Sequence, residues 1–252
     1  MKTFTTADPH GANKALVQVL ERAKFDYKKD KLICLGDVCD GFSEVKETFE
    51  TLLKINNLIY IIGNHDKFFM DWLESGGRRM PEIWTKQGGI KTLKSFNYHP
   101  DNVSDDIAEL LFSKSNYYYI ENNKLFIHGG YNWHKPIEEE NEDNMIWDRH
   151  MFQTALQWQR FNESIKTKFT PESTLERFPD YDEIYVGHTT TGAAKYFNNK
   201  YENTDKPIFA SNLIAMDTGA GYEGKLTLMN VDTKEYFQSN LVQTLYPEEK
   251  GR

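Results

Sequence analysis

The sequence predicts an α/β fold arranged as a two-sheet α/β/β/α sandwich with helices outside, and three observations carry the prediction. The first third alternates short apolar runs with amphipathic stretches, the pattern of βαβ units and parallel strands. The last third is rich in strands with few helical patterns between them. Successive apolar runs end in glycine followed by Asp, Asn or His, so polar side chains should collect along one rim of the sheets.

Taken in order, residues 2–6 make a short first strand. Ala15, Leu16, Val19, Leu20 and Ala23 recur at helical spacing and give one apolar stripe. Residues 31–35 read as a buried strand ending at Gly36, and Ser43 is the expected N-cap of a helix whose apolar face is Val45, Phe49, Leu52 and Leu53. Residues 58–62, the longest apolar run at five residues, form another buried strand. The middle of the chain is aromatic and polar with weaker periodicity. It is expected to supply helical and loop insertions over the strand ends, at about residues 66–120 and 131–181. Within it, Ser104 should cap a helix carrying Ile107, Leu110 and Leu111, and the five acids in residues 138–143 should form a solvated loop. Strands return at 183–186, 213–216, 225–231 and 235–238, the last two joined by a hairpin turn at 232–234. One domain over residues 1–240, followed by a tail at 241–252, is the expected organisation.

Composition narrows the function classes. With 39% hydrophobic and 27% charged residues among 252, the chain is neither disordered nor fibrous. At this length it needs no disulfide or structural metal to fold. A five-residue apolar run falls far short of the roughly 18 needed to span a bilayer, and the start, MKTFTTADPHG, carries no apolar signal region. Cys34 and Cys39 have no zinc or disulfide framework around them. A net charge of -8 argues against nucleic acid as the main partner, because phosphate backbones are held by clustered Lys and Arg. A cytoplasmic protein without a membrane partner is expected.

The chemistry concentrates in five clusters at predicted strand ends: Asp8-Pro9-His10-Gly11, Gly36-Asp37-Val38-Cys39-Asp40-Gly41, Gly63-Asn64-His65-Asp66, His128-Gly129-Gly130 and Gly187-His188-Thr189. Twenty-six residues lie between His10 and Asp37, and twenty-six between Asp37 and Asn64, which is one βαβ crossover each time. The clusters should therefore converge. Carboxylate, imidazole and amide oxygen together suit a hard to borderline divalent ion such as manganese, iron or zinc.

These ordered motifs, D-P-H-G, G-D-V-C-D-G, G-N-H-D, H-G-G and G-H-T, resemble those of the calcineurin-like metallophosphoesterases. The nearest branch is the bacterial phosphoprotein-phosphatase type shared with the symmetrical dinucleoside tetraphosphatases. The stretches 84–95 (WTKQGGIKTLKS), Ile146-Trp147-Asp148-Arg149 and 216–226 (MDTGAGYEGKL) resemble the same branch. The resemblance implies two divalent ions, manganese first and iron or zinc next. Asp8 and His10 would hold the first, Asp37 would bridge, and Asn64, His128 and His188 would complete the second. The ions would share a hydroxide for in-line attack on phosphorus. His65 would act as general acid with Asp40 orienting its imidazole, while Arg149 and Asn64 would bind the phosphate. The family's arginine after the second Asp is Gly41 here, which removes one phosphate clamp; Arg78 and Arg79 are candidate substrate contacts in its stead.

Plainer readings stand beside these. Asp8 and His10 could be an N-terminal turn, Asp40 a turn residue before Gly41, and Arg149 a surface helix residue. Asp66 reads as a helix N-terminal acid rather than a ligand. Cys39 reads as a small packing residue, since the Arg of a Cys-x5-Arg loop is absent. Residues 219–224 match dinucleotide-binding spacing and nearly a P-loop, but KLTLMNV follows, a strand and not the required helix. The leading functional expectation is a phosphate monoesterase acting on phosphoprotein or small molecule, of the serine/threonine phosphatase type. The alternative is phosphoanhydride cleavage in a dinucleoside polyphosphate such as diadenosine tetraphosphate, and the third a non-catalytic metal-binding module.

Overall fold

The computed structural model describes residues 1–167, 170, 174–202 and 204–252, so the expected insertion at 131–181 is covered except at 168–169 and 171–173. Two sheets pack face to face. The first contains β1 (Thr3–Thr6), β2 (Lys31–Cys34), β3 (Asn57–Ile61), β4 (Ser115–Asn116), β10 (Thr227–Asn230) and β11 (Tyr236–Gln238), in the order β11-β10-β1-β2-β3-β4. The second contains β5 (Tyr118–Glu121), β6 (Lys124–Ile127), β7 (Glu183–Val186), β8 (Ile208–Ala210) and β9 (Leu213–Ala215), in the order β5-β6-β7-β9-β8.

Side-chain alternation explains the layering. In β2, Leu32 and Cys34 face the helices of the first layer, whereas Ile33 and Leu35 point into the seam between the sheets. In β7, Ile184 and Val186 face outward to the second helical layer and Tyr185 points into the seam. There Tyr185 stacks on Phe126 with ring centroids 4.7 Å apart. Helices α1 (Asn13–Arg22), α2 (Val45–Leu52) and α3 (Asn64–Glu74) cover the first sheet, and the helix His150–Ile165 covers the second.

Strands β1, β2 and β3 are parallel, as are β6, β7 and β9. All six carboxyl ends therefore deliver the loops that follow them, and it is these loops that meet. Among the described residues, no helix is long and apolar enough to cross a membrane.

Several local expectations change. Ser43 does not cap α2: Glu44 holds the N-cap position, and the Ser43 hydroxyl donates to Glu249 Oε1 at 2.7 Å. Ser104 does cap its helix, accepting from the Ile107 N–H. The acidic stretch is more ordered than a solvated loop, because Glu140 accepts from the Asn141 N–H at 2.8 Å and pairs with Lys135 at 3.1 Å. Strands β4, β5 and β8 were not expected, and β6 was implied by the cluster at His128 without bounds. The segment 241–252 folds back onto the first layer, burying Val242 and Tyr246 in its core.

Candidate metal and phosphate site

The loops after β1, β2, β3, β6 and β7 bring Asp8, His10, Asp37, Asp40, Asn64, His65, His128 and His188 into one buried place. Reaching it bends the backbone. Asp8 (φ 55°), His10 (44°), Asp37 (51°), Asp40 (72°) and His188 (62°) all lie in the left-handed region. Asp and His tolerate that region better than branched residues, yet it costs energy that only a tightly packed setting sustains.

Two groups of donors share one carboxylate. Asp8, His10 and Asp37 form one, and Asp37, His128 and His188 the other, with ligand atoms in each group within 4.8 Å of one another. Asp37 Oδ2 lies 3.6 Å from His10 Nε2 and 3.5 Å from His128 Nε2, while its Oδ1 accepts from the His65 N–H at 2.9 Å. Main-chain carbonyls fix both rings: His10 Nδ1 donates to Cys39 O at 2.8 Å, and His128 Nδ1 to Leu35 O at 2.6 Å. Each ring thereby turns Nε2 inward, toward Asp37. The Asn64 amide oxygen stands 3.2 Å from His128 Nε2.

The donor set fits divalent ions. His10 Nε2, Asp37 Oδ2, both ring nitrogens of His188 and Asp217 Oδ2 are buried without a hydrogen-bond partner, an arrangement that costs stability unless a ligand occupies it. Charge points the same way. Burial and the neighbouring Asp217 carboxylate push Asp8 well above the usual carboxylate range, and burial also raises Asp217. Against a burial that would raise it, His128, His65 and His10 hold Asp37 well below that range. Against a burial that would lower it, Asp37 lifts the His128 imidazole to about 9. Buried carboxyl groups crowded against inward-facing imidazoles, with several donor atoms unpartnered, make a place for metal.

Beside it sits a second device. His65 Nδ1 donates to Asp40 Oδ2 at 2.5 Å, and the same carboxylate accepts from Trp84 Nε1 at 2.9 Å and Thr92 Oγ1 at 2.5 Å. Asp66, in the first turn of α3, accepts from the N–H groups of Asp37, Val38, Cys39 and Gly63 and so clamps the second and third loops together. Arg149 lies at the mouth, donating to His188 O at 3.3 Å and Thr189 Oγ1 at 3.1 Å, and lines the cavity over Asn64 and His65.

Arg78 and Arg79 are not brought to this cavity. Arg78 Nε donates to Ser75 O, and Arg79 pairs with Asp71 at 3.1 Å. Lys86 and Gln87 of the same insertion line it instead. Sequence reasoning also passed over Asp217, Trp84, Thr92 and Arg252. Asp217 follows β9 just as His128 follows β6, and the Met216-Asp217-Thr218-Gly219 run carried that signal. The glycine loop after it makes a strand-to-strand turn bridged at Gly219 and Lys225, with no helix. Gly221 within that loop passes so close to His10 that a Cβ there would sit 2.4 Å from the ring.

Comparison with known proteins agrees with this geometry. A relative from Pseudomonas syringae pv. tomato, named a symmetrical bis(5'-nucleosyl)-tetraphosphatase, is 25% identical over 95% of this chain and 89% of its own. One of the same name from Pseudomonas fluorescens is 24% identical over 94% of each chain. Among solved structures, a protein provisionally described as a diadenosine tetraphosphatase superposes with a TM-score of 0.62 at 14% identity, covering 94% of this chain and 92% of the other. A cold-active protein-tyrosine phosphatase from a Shewanella species superposes at 0.54 with 17% identity over 95% and 80%. The model of the calcineurin-like phosphoesterases matches residues 1–191, the stretch that supplies both donor groups and the His65–Asp40 pair, and this chain belongs to that family.

Proposed function

We propose that the protein hydrolyses a phosphoanhydride bond in a dinucleoside polyphosphate, with two divalent ions, manganese first among them, held by the donors around Asp37. The observation that carries this reading is the composition of the mouth. Lys86, Arg149 and Arg252 surround it together with the rings of Trp147 and Tyr222, which are 40% and 43% exposed. A phosphate monoester needs few cations and no aromatic platform. A polyphosphate flanked by nucleosides needs several cations for its chain and open ring faces for its bases. The names of the relatives support the same choice over the phosphoprotein reading.

Asp8 and His10 would hold one ion, Asn64, His128 and His188 the other, and Asp37 both. Bound there, the ions supply Lewis acidity toward the phosphate and lower the pKa of the attacking water. The remaining steps belong to side chains. Arg149 neutralises a non-bridging oxygen. His65 hands a proton from Nε2 to the departing oxygen, and Asp40, braced by Trp84 and Thr92, keeps the ring turned for that transfer. Water adds to one phosphorus, the P–O bond to the neighbouring phosphate breaks, and two phosphorylated products leave without a phosphoenzyme.

The test compares diadenosine tetraphosphate, a phosphoserine peptide and p-nitrophenyl phosphate under saturating manganese. A kcat/KM at least about tenfold higher for the dinucleotide, with ADP as product, is expected; tenfold is about 1.4 kcal/mol of transition-state binding, within reach of one aromatic contact. Faster turnover of the peptide would return the assignment to phosphoprotein.

A further inference from the structure

The family's second phosphate clamp is missing at Gly41, yet another arginine begins its side chain close to that residue and carries its guanidinium to His65 and Asp37. It arrives from residue 252. The segment before it docks firmly: Glu249 pairs with Lys91 at 2.6 Å and accepts from Ser43, and Gln243 Nε2 donates to Glu249 O at 2.8 Å. Gly251 lies so tightly on the site's glycine loop that a Cβ there would fall 2.2 Å from Gly221 O, and the Arg252 N–H donates to that same carbonyl at 2.9 Å. A Cβ on Gly88 would meet Gly41 N at 2.5 Å and Arg252 Cβ at 3.2 Å, so Gly88 packs against both Gly41 and the start of the Arg252 side chain.

Its side chain runs inward and is only 8% exposed. The guanidinium lies 5.0 Å over the Tyr222 ring, Nη1 meets His65 Nε2 and stands 3.8 Å from Asp37 Oδ2, and Nε is buried with no acceptor. Among the described residues, His65 Nε2 is the one hydrogen-bond acceptor this side chain reaches. A planar cation with unspent donors, stacked on an aromatic ring between the shared carboxylate and the proton-donating imidazole, is built to receive an anion with several oxygens.

We infer that Arg252 is the second phosphate clamp, supplied by the docked segment 241–252 in place of the arginine absent at Gly41. Substrate arrival transfers its donors from His65 Nε2 to phosphate oxygens, which frees that nitrogen to take a proton from solvent and pass it to the leaving group. The inference rests on phosphate binding at this site and not on the dinucleotide reading, so its probe is orthophosphate, which contains no nucleotide.

Calorimetric titration of the manganese-loaded protein with orthophosphate, alongside kcat and KM for p-nitrophenyl phosphate, tests it. Arg252→Ala should weaken orthophosphate about 10–100-fold, the worth of a charge-assisted contact, with bound manganese unchanged. Arg252→Lys should recover part of the affinity, since a point charge remains without the fork. Gly251→Val should reproduce the loss with Arg252 still present, because its side chain collides with Gly221 and lifts the segment away. Unchanged or tighter orthophosphate binding with faster turnover in Arg252→Ala would make the arginine a plug and overturn the inference. Weakening that appears only together with lost manganese would overturn it equally.

Discussion

Replacing Asp40 by asparagine changes two atoms and asks three donors to renegotiate. The carboxylate accepts from His65 Nδ1, Trp84 Nε1 and Thr92 Oγ1 in a fully buried setting. An amide has one accepting oxygen, and Trp84 Nε1 lies 3.0 and 2.9 Å from the two carboxylate oxygens, so its N–H confronts the new NH2 in either orientation. An orphaned buried donor costs about 1–3 kcal/mol of stability. The catalytic cost is separate: His65 loses the charge-assisted bond that keeps its ring turned for proton transfer. That charge-assisted bond is worth about 1.5–3 kcal/mol, or about 10–150-fold in kcat for an alkyl phosphate whose departing oxygen needs the proton. For p-nitrophenyl phosphate, whose leaving group departs readily as an anion, the loss should stay under about threefold. His65→Ala should widen the same contrast to about 10²–10⁴-fold on the alkyl substrate. The assay is paired steady-state kinetics with manganese content measured on each variant. Equal losses on both substrates, with metal retained, would refute proton donation by His65.

Other consequences are as direct. Asp37→Asn removes the carboxylate common to both donor groups, so bound manganese by elemental analysis should fall to at most one ion per chain, with a larger loss of activity than for Asp8→Asn. Burial pushes both the Cys34 and Cys39 thiols up, so a thiol reagent at pH 8 should label neither in the native protein and both after denaturation. Glu183 is held below its ordinary value of 4.5 by Lys124, Lys234 and the Tyr185 hydroxyl, against a burial that raises it. Its stabilisation is complete above that value and lost as pH falls through the lower folded one. Denaturant melts should therefore show Glu183→Gln less stable by about 1 kcal/mol at pH 7, with the gap closing below pH 4.

What the sequence disclosed follows a physical divide. The strand ends were legible because an apolar run stopped by glycine and then Asp, Asn or His is a local signal, and Asp37, Asn64 and His188 all carry it. The hairpin that pairs β5 with β6 was missed because its first strand, Tyr118–Glu121, is only half-buried, so alternation is faint, although the cluster at His128 implied a strand before it. Its real mark was the Asn122-Asn123 pair, with φ of 51° and 58°, which suits a two-residue turn of the type that hairpins favour. Asp217 was hidden by its neighbours, since the glycines after it drew attention to phosphate-loop patterns. Trp84, Thr92 and Arg252 were illegible for a different reason. Each reaches the site across long chain separations, through packing that no local period encodes, and the docking of residues 241–252 depends on Ser43 and Lys91 far upstream.

The seam between the sheets carries one more consequence. Asp8, Asp37 and Asn64 come from the six-stranded layer, and His128, His188 and Asp217 from the five-stranded one. The ion that Asn64, His128 and His188 would hold with Asp37 is gripped from both sides, a rivet through two plates otherwise joined by the apolar seam and a few polar bridges such as Lys234 to Glu183, and it would resist their sliding past each other. That one rivet, at a free metal concentration a hundredfold above its dissociation constant, would add about 2.7 kcal/mol to the folded state. A core substitution such as Phe126→Leu could then pass unnoticed in metal-rich medium and unfold the chain in a chelator, so the protein's tolerance of mutation would track its supply of metal.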